Sequence, residues 1–220
     1  MEHSLAGMTP VEIDTELARI HGEIRNVTAQ HTRTVDGLLG AAGLRKYVSR
    51  GQYKVSGTLN DAIDLLETYI QAQEAWTASG YDPALMPARL SDYAGIPTTQ
   101  WLAGEVETEV RLRRQRLDLM RQANEFNAEH ERRPWPRYYV VTSSAGHIHA
   151  STGCQTCRAT TQFGWLPNMS GQSEAEAMAA LGTHAEALCS VCFPAAPVAG
   201  KAKVTKAKAV KLSAGDVARI

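Results

Sequence analysis

The chain has 220 residues, 44% of them apolar but only 6% aromatic, which is enough material for one medium or two small domains. It contains no run of about 18 apolar residues, which argues against a membrane-spanning helix. The opening MEHSLAGMTPVEID lacks the basic and apolar regions of a signal peptide, so a cytoplasmic protein is expected. The net charge of zero hides a gradient: residues 1–132 carry 14 basic and 19 acidic groups, 133–196 carry 3 of each, and 197–220 carry 6 basic and 1 acidic.

The first helix announces itself at TPVE, where Thr9 suits the N-cap, Pro10 the first helical position, and Glu12 the return arm of a capping box. Ile13, Leu17, Ile20, Ile24 and Val27 then recur at steps of three and four, giving one apolar stripe. Glycines at 37, 40, 43, 51 and 57 interrupt the next segment, which reads as a turn-rich connector with room for a short helix. A second helix starts near Thr58, is capped through Asp61, carries Leu59, Ile63, Leu66 and Ile70 on one face, and ends by Gly80. Three prolines limit the following segment to short turns. LSDYAGIPTTQWLAGEV there invites comparison with a helix-turn-helix, but so short a pattern is weakly specific, and Pro97 with two threonines caps a helix equally well. From about Trp101 to Glu131 a long helix is predicted, with Leu102, Val106, Val110, Leu117 and Met120 as its seam and Arg113 as an interruption. Amphipathic helices of this kind bury their stripes against each other, within the chain or between copies, so homo-oligomerisation is an expectation.

Pro134 and Pro136 end the helix, and the chain changes class. RYYVVTSS favours a strand, residues 144–146 a turn, HIHAS a returning strand, and ATTQFGWL a third. SEAEAMAALG is a short helix, with Ser173 as cap and Glu176 as the third helical residue.

All four cysteines fall in this last third, as two CxxC pairs: Cys154 with Cys157, and Cys189 with Cys192. In a reducing compartment such thiols serve metal binding more naturally than structural disulfides. Zn²⁺ takes four tetrahedral sulfur or nitrogen ligands, and a CxxC at a tight turn supplies two of them. The 31 residues between the pairs exceed the spacing of the simplest four-cysteine sites, yet a strand and a helix fill the gap. A structural zinc held by four thiolates is therefore expected, with independent redox disulfides as the rival. His147 and His149, two apart in a strand, face the same way. They are expected to pack and hydrogen-bond near the thiolates rather than ligate, the alternatives being replacement of a cysteine or a second metal site.

The run from Glu131 to Met178 with CSVCFPAAP resembles a C-terminal module recurrent in uncharacterised proteins of actinobacteria and their phages. The opening MTPVEIDTELARI, Met8 to Ile20, is similar to the start of the same proteins. The resemblance covers about 60 residues of module. It implies a phage or mobile-element context and the four cysteines as ligands, and it brings no activity.

The fold expected is α+β: a helical scaffold over 1–132, a small β-rich zinc module over 133–196 and a flexible basic tail over 197–220. Lys201, Lys203, Lys206, Lys208 and Lys211, with Arg137 and Arg158 beside the module's aromatics, suit contact with DNA or RNA phosphates. A closed four-ligand zinc has no open position for substrate, so a non-enzymatic, zinc-stabilised nucleic-acid-binding protein is the leading expectation. A phage adaptor gripping a host protein is the second. A metal-dependent nuclease or hydrolase built on His147 and His149, with Glu131 or Asp216, is the third.

Overall fold

A computed structural model of the chain describes residues 5–86, 97–142, 147–181, 188–195 and 218–219. The fold is mixed α+β, with long helices ahead of small antiparallel sheets. Contacts group residues 25–118 into one unit and residues 1–24 with 119–220 into another. A boundary at residue 132 therefore falls inside the second of these.

In the unit of residues 25–118, helix α1 (Pro10–Ala41) finishes, having run through Gly37 and Gly40. Two glycines in a helix interior cost about 1 kcal/mol each relative to alanine, and packing of Leu38 and Leu39 outweighs this. The stop comes at Gly43, whose φ of 74° is open to glycine at no steric cost. There the Leu44 amide donates to the Leu39 carbonyl at 2.8 Å and the Gly43 amide to Gly40 at 3.0 Å. This is a Schellman cap, completed by Leu44 packing on the core.

The expected connector is instead a β-hairpin, β1 (Arg45–Ser49) with β2 (Gln52–Val55), turned by Arg50 and Gly51. Both turn residues have positive φ, 45° and 76°, the geometry that matches the twist of paired strands. Of the glycines expected to break the segment, Gly43 and Gly51 do sit at turns, whereas Gly37 and Gly40 lie within α1, and the spacing concealed the strands between.

Helix α2 (Leu59–Ala78) begins with the expected capping box: the Thr58 amide donates to Asp61 Oδ2 at 2.7 Å and the Asp61 amide to Thr58 Oγ1 at 3.2 Å. Ala62, Leu66 and Ile70 meet Leu38, Leu39, Ala41, Ala42 and, from helix α3 (Thr99–Arg132), Leu102. Along α3 the expected seam needs correction. Leu102 is buried, but Val110, Leu117 and Met120 are about half exposed, and the buried row is Leu102, Glu109, Leu112, Leu119 and Ala123. Glu109 enters that row because His31 Nε2 pairs with its carboxylate at 3.0 Å. Part of the helix-turn-helix comparison, residues 91–96, lies outside the described residues.

In the other unit, α1 opens as read: the Thr9 amide donates to Glu12 Oε2 at 2.8 Å, and Ile13, Leu17 and Ile20 are buried. The sheet runs in the order β4 (Ile148–His149), β3 (Tyr139–Val141), β5 (Phe163–Trp165), β6 (Ala218–Arg219), all antiparallel. The first three strands were expected. β6 was not: the last residues of the basic tail pair with β5, which corrects the picture of an arm free along its whole length. Lys201 to Lys211 lie outside the described residues. Helix α4 (Glu174–Leu181) carries its capping box, with the Ser173 amide donating to Glu176 Oε2 at 2.7 Å. Tyr138, Ile148, Leu166, Met169, Ala177, Leu188 and Phe193 form the core.

Asp14 is wholly buried and fastens the start of α1 to the segment that leads into β3. It accepts hydrogen bonds from Trp135 Nε1 at 2.8 Å and from Arg137 Nε and Nη2 at 3.0 and 2.6 Å. Arg133 adds bonds to the carbonyls of Leu5 and Met8 at 3.1 and 2.5 Å. Among the described residues, no helix is long and apolar enough to cross a membrane.

Candidate metal centre

Strand β4 carries the site. Alternation sends neighbours to opposite faces, so Ile148 enters the core while His149, only 3% exposed, faces the other way. His149 and Phe163 meet edge to face, at 6.0 Å between ring centres, and His147 lies beside His149 on the same face at 6.4 Å.

The first cysteine pair sits on a tight turn closed by the Cys157 amide donating to the Cys154 carbonyl at 2.9 Å. The second pair is tied to β4 directly: Leu188 bridges Ile148 in parallel, and the Cys189 amide donates to the Ile148 carbonyl at 2.9 Å. The Phe193 amide then donates to Cys189 at 2.8 Å, closing the second turn. Two turns from distant parts of the chain are thus held against one strand.

The result is a cluster. Donor atoms of His149, Cys154, Cys189 and Cys192 lie within 4.8 Å of one another. Cys154 and Cys189 sulfurs are 4.0 Å apart, and Cys192 Sγ is 3.7 Å from His149 Nδ1. Tetrahedral zinc with ordinary Zn–S and Zn–N bonds separates its ligands by about 3.6–3.8 Å, so the cluster is close to the size such an ion requires.

The expected ligand set and this cluster differ at one place. Cys157 stands 3.6 Å from His149 Nε2 and outside the mutually close set, whereas His149, expected to sit outside the coordination sphere, lies inside it. The signal available in sequence was the alternation along HIHAS: it placed His147 and His149 on one face but could not say that this face looks onto the cysteines.

The electrostatics are uneven. A hydrogen bond from Thr156 stabilises the Cys154 thiolate and brings its pKa down to about 6, with Thr156 Oγ1 at 3.2 Å from the sulfur. Burial pushes the Cys192 thiol up to about 11. Thr156 Oγ1 also reaches Cys189 Sγ at 3.6 Å, so one hydroxyl serves both turns.

Among the residues expected at a nucleic-acid surface, Arg137 is placed elsewhere. Its guanidinium is only 13% exposed, is bonded twice to Asp14 and lies over the Trp165 ring at 4.9 Å. Trp135 and Tyr138 are buried, Arg132 and Arg133 pair with Glu129, and Arg158 is exposed beside the first turn. Glu131 is exposed at the end of α3, and Asp216 lies outside the described residues. Comparison with family models, curated proteins and solved structures finds no match to this chain.

Proposed function

We propose that His149, Cys154, Cys189 and Cys192 bind one Zn²⁺ as a structural ion, and that the protein is a non-enzymatic binding protein that engages nucleic acid beside this zinc-stabilised module. The observation that carries the zinc reading is the convergence of one imidazole and three thiols from two CxxC turns and a strand onto a volume of tetrahedral size. Zinc favours such a soft sulfur-rich set, and four protein ligands leave no open position for water or substrate. A small module with a short sheet buries little core, and a structural zinc adds on the order of 10 kcal/mol of apparent folding free energy at neutral pH.

Support for nucleic acid comes from charge. Residues 197–220 hold six basic groups and one acidic, and lysines among small residues suit a phosphate backbone. The resemblance of the module to proteins of actinobacteria and their phages adds a phage-infected cell as the setting.

The test has two arms. Elemental analysis of purified protein should find one zinc per chain, removable by chelation with loss of cooperative unfolding; a metal-free preparation that folds identically would refute the zinc reading. Because β6 belongs to the sheet, the tail is best probed without truncation, by changing Lys201, Lys203, Lys206, Lys208 and Lys211 to glutamine together. Retention on nucleic acid at low salt should fall in that variant; no retention of the parent would leave the host-protein adaptor as the better account.

A further inference from the structure

The hairpin β1–β2 is the most unusual surface in the unit of residues 25–118. Every residue from Lys46 to Ser56 is exposed, so neither face of the ribbon rests on a core. Two strands alone are marginal in water, and what holds them here is local. Tyr47 and Tyr53 pair across the strands edge to face at 5.7 Å, the Arg45 guanidinium lies over the Tyr53 ring at 3.7 Å, and the Ser56 amide donates to Leu44 at 2.9 Å.

Register sorts the side chains into two faces. Arg45, Tyr47, Tyr53 and Val55 share one, while Lys46 and Lys54 stand directly opposite each other on the other. Like charges in directly opposed positions destabilise a strand pair, so folding gains nothing from Lys46 facing Lys54. Exposed rings on the first face, Tyr47 at 63% and Tyr53 at 49%, gain little from burial either. Arg50 extends the charge to the tip, and no acidic residue occurs between Arg45 and Val55. Asp36 answers Arg45 at 3.1 Å; no ion-pair partner is found among the described residues for Lys46, Arg50 or Lys54.

We infer that this hairpin binds single-stranded nucleic acid, with Tyr47 and Tyr53 as a stacking platform and Lys46, Lys54 and Arg50 against the phosphates. Cations complement an anionic backbone, and the exposed Tyr47 ring, with Arg45 already stacked on Tyr53 beside it, has a partner in an unstacked base that a duplex does not offer. The inference rests on the nucleic-acid reading above and deepens it by naming residues within the unit of residues 25–118.

Full-length, zinc-loaded protein is titrated into a fluorescein-labelled single-stranded 20-mer and into its duplex, with anisotropy followed across a salt series. The parent should prefer the single strand. Tyr47→Ala with Tyr53→Ala should weaken it at least about fivefold, the lower end for losing one stacked base. Lys46→Gln with Lys54→Gln should flatten the slope of log K against log salt by about 1.4, two phosphate contacts at about 0.7 each. Lys46→Arg with Lys54→Arg should restore it. Because Tyr47 and Tyr53 also help to hold the strands, Tyr47→Phe with Tyr53→Phe serves as the control that keeps the ring pair and should retain binding, while circular dichroism and thermal midpoints check the rest of the fold. Hairpin variants that bind like the parent while the tail variant loses binding would overturn the hairpin and leave the broader reading standing. A parent that binds neither probe would overturn both, and preference for the duplex would overturn the single-stranded assignment.

Discussion

Replacing Asp14 with alanine tests how the start of α1 is secured. The carboxylate is fully buried and accepts three hydrogen bonds, two from a guanidinium that is itself 13% exposed and one from the indole of Trp135. Alanine would leave a nearly buried positive charge without a counter-ion and an indole N–H without an acceptor. Breaking a buried ion pair from one side costs about 3–5 kcal/mol. Against a total stability of about 5–15 kcal/mol for a small domain, that is a large share. Urea denaturation at neutral pH, followed by tryptophan fluorescence on zinc-replete protein, should show the midpoint falling at unchanged slope. Removing Arg137 as well should cost less than the sum of the two single changes by at least about 1.5 kcal/mol, because the second substitution removes the orphaned charge. If Asp14→Ala cost under about 1 kcal/mol, or the two changes simply added, the clamp would not hold the helix as argued.

Gly171 has φ of 83°, and a methyl group there would sit 2.8 Å from Pro10. Gly171→Ala should therefore destabilise by more than the roughly 1–2 kcal/mol of left-handed strain alone, read as a lowered thermal midpoint. At the metal centre, Cys157→Ser should keep one zinc per chain, while Cys189→Ser or His149→Ala should lose at least about tenfold in zinc affinity in a competition with a chromogenic chelator. The reverse pattern would return Cys157 to the ligand set. Glu129, bonded by Arg132 and Arg133, has its carboxyl held down to about 2. A lowered folded-state pKa gives stability that is present above the ordinary carboxylate range and lost as pH falls towards 2. Glu129→Gln should be less stable at pH 7, and its stability should change less between about pH 4 and pH 2 than that of the parent.

What could be read from sequence was local. Thr9 with Glu12, Thr58 with Asp61 and Ser173 with Glu176 each place donor and acceptor three residues apart, so the chain announces its own helix starts. The CxxC turns are local in the same way, and their meeting was inferable from the duplicated spacing. What could not be read depended on distance or competition. Asp14 and Arg137 are 123 residues apart, and nothing near either marks it as half of a pair. Along α3 an apolar count favours Val110 and Leu117, but the row that is buried admits Glu109 because His31 waits for it. The hairpin carries no such local mark because its strands bury nothing, and burial on one face is what produces the alternation by which strands are recognised. His149 belongs with these: its face was predictable, its neighbours were not.

The arrangement at β4 has a consequence for folding fidelity. Ile148 and His149 are adjacent, one in the core and one among the thiols, while Cys189 is hydrogen-bonded to the Ile148 carbonyl. Sliding this strand by a single residue would drive the imidazole into the apolar interior and offer an isoleucine to the sulfurs. An ion that needs all its donors cannot be captured by such a misaligned chain. Loading the site would then act as a proofreading step, retaining only those molecules in which the sheet has been threaded correctly.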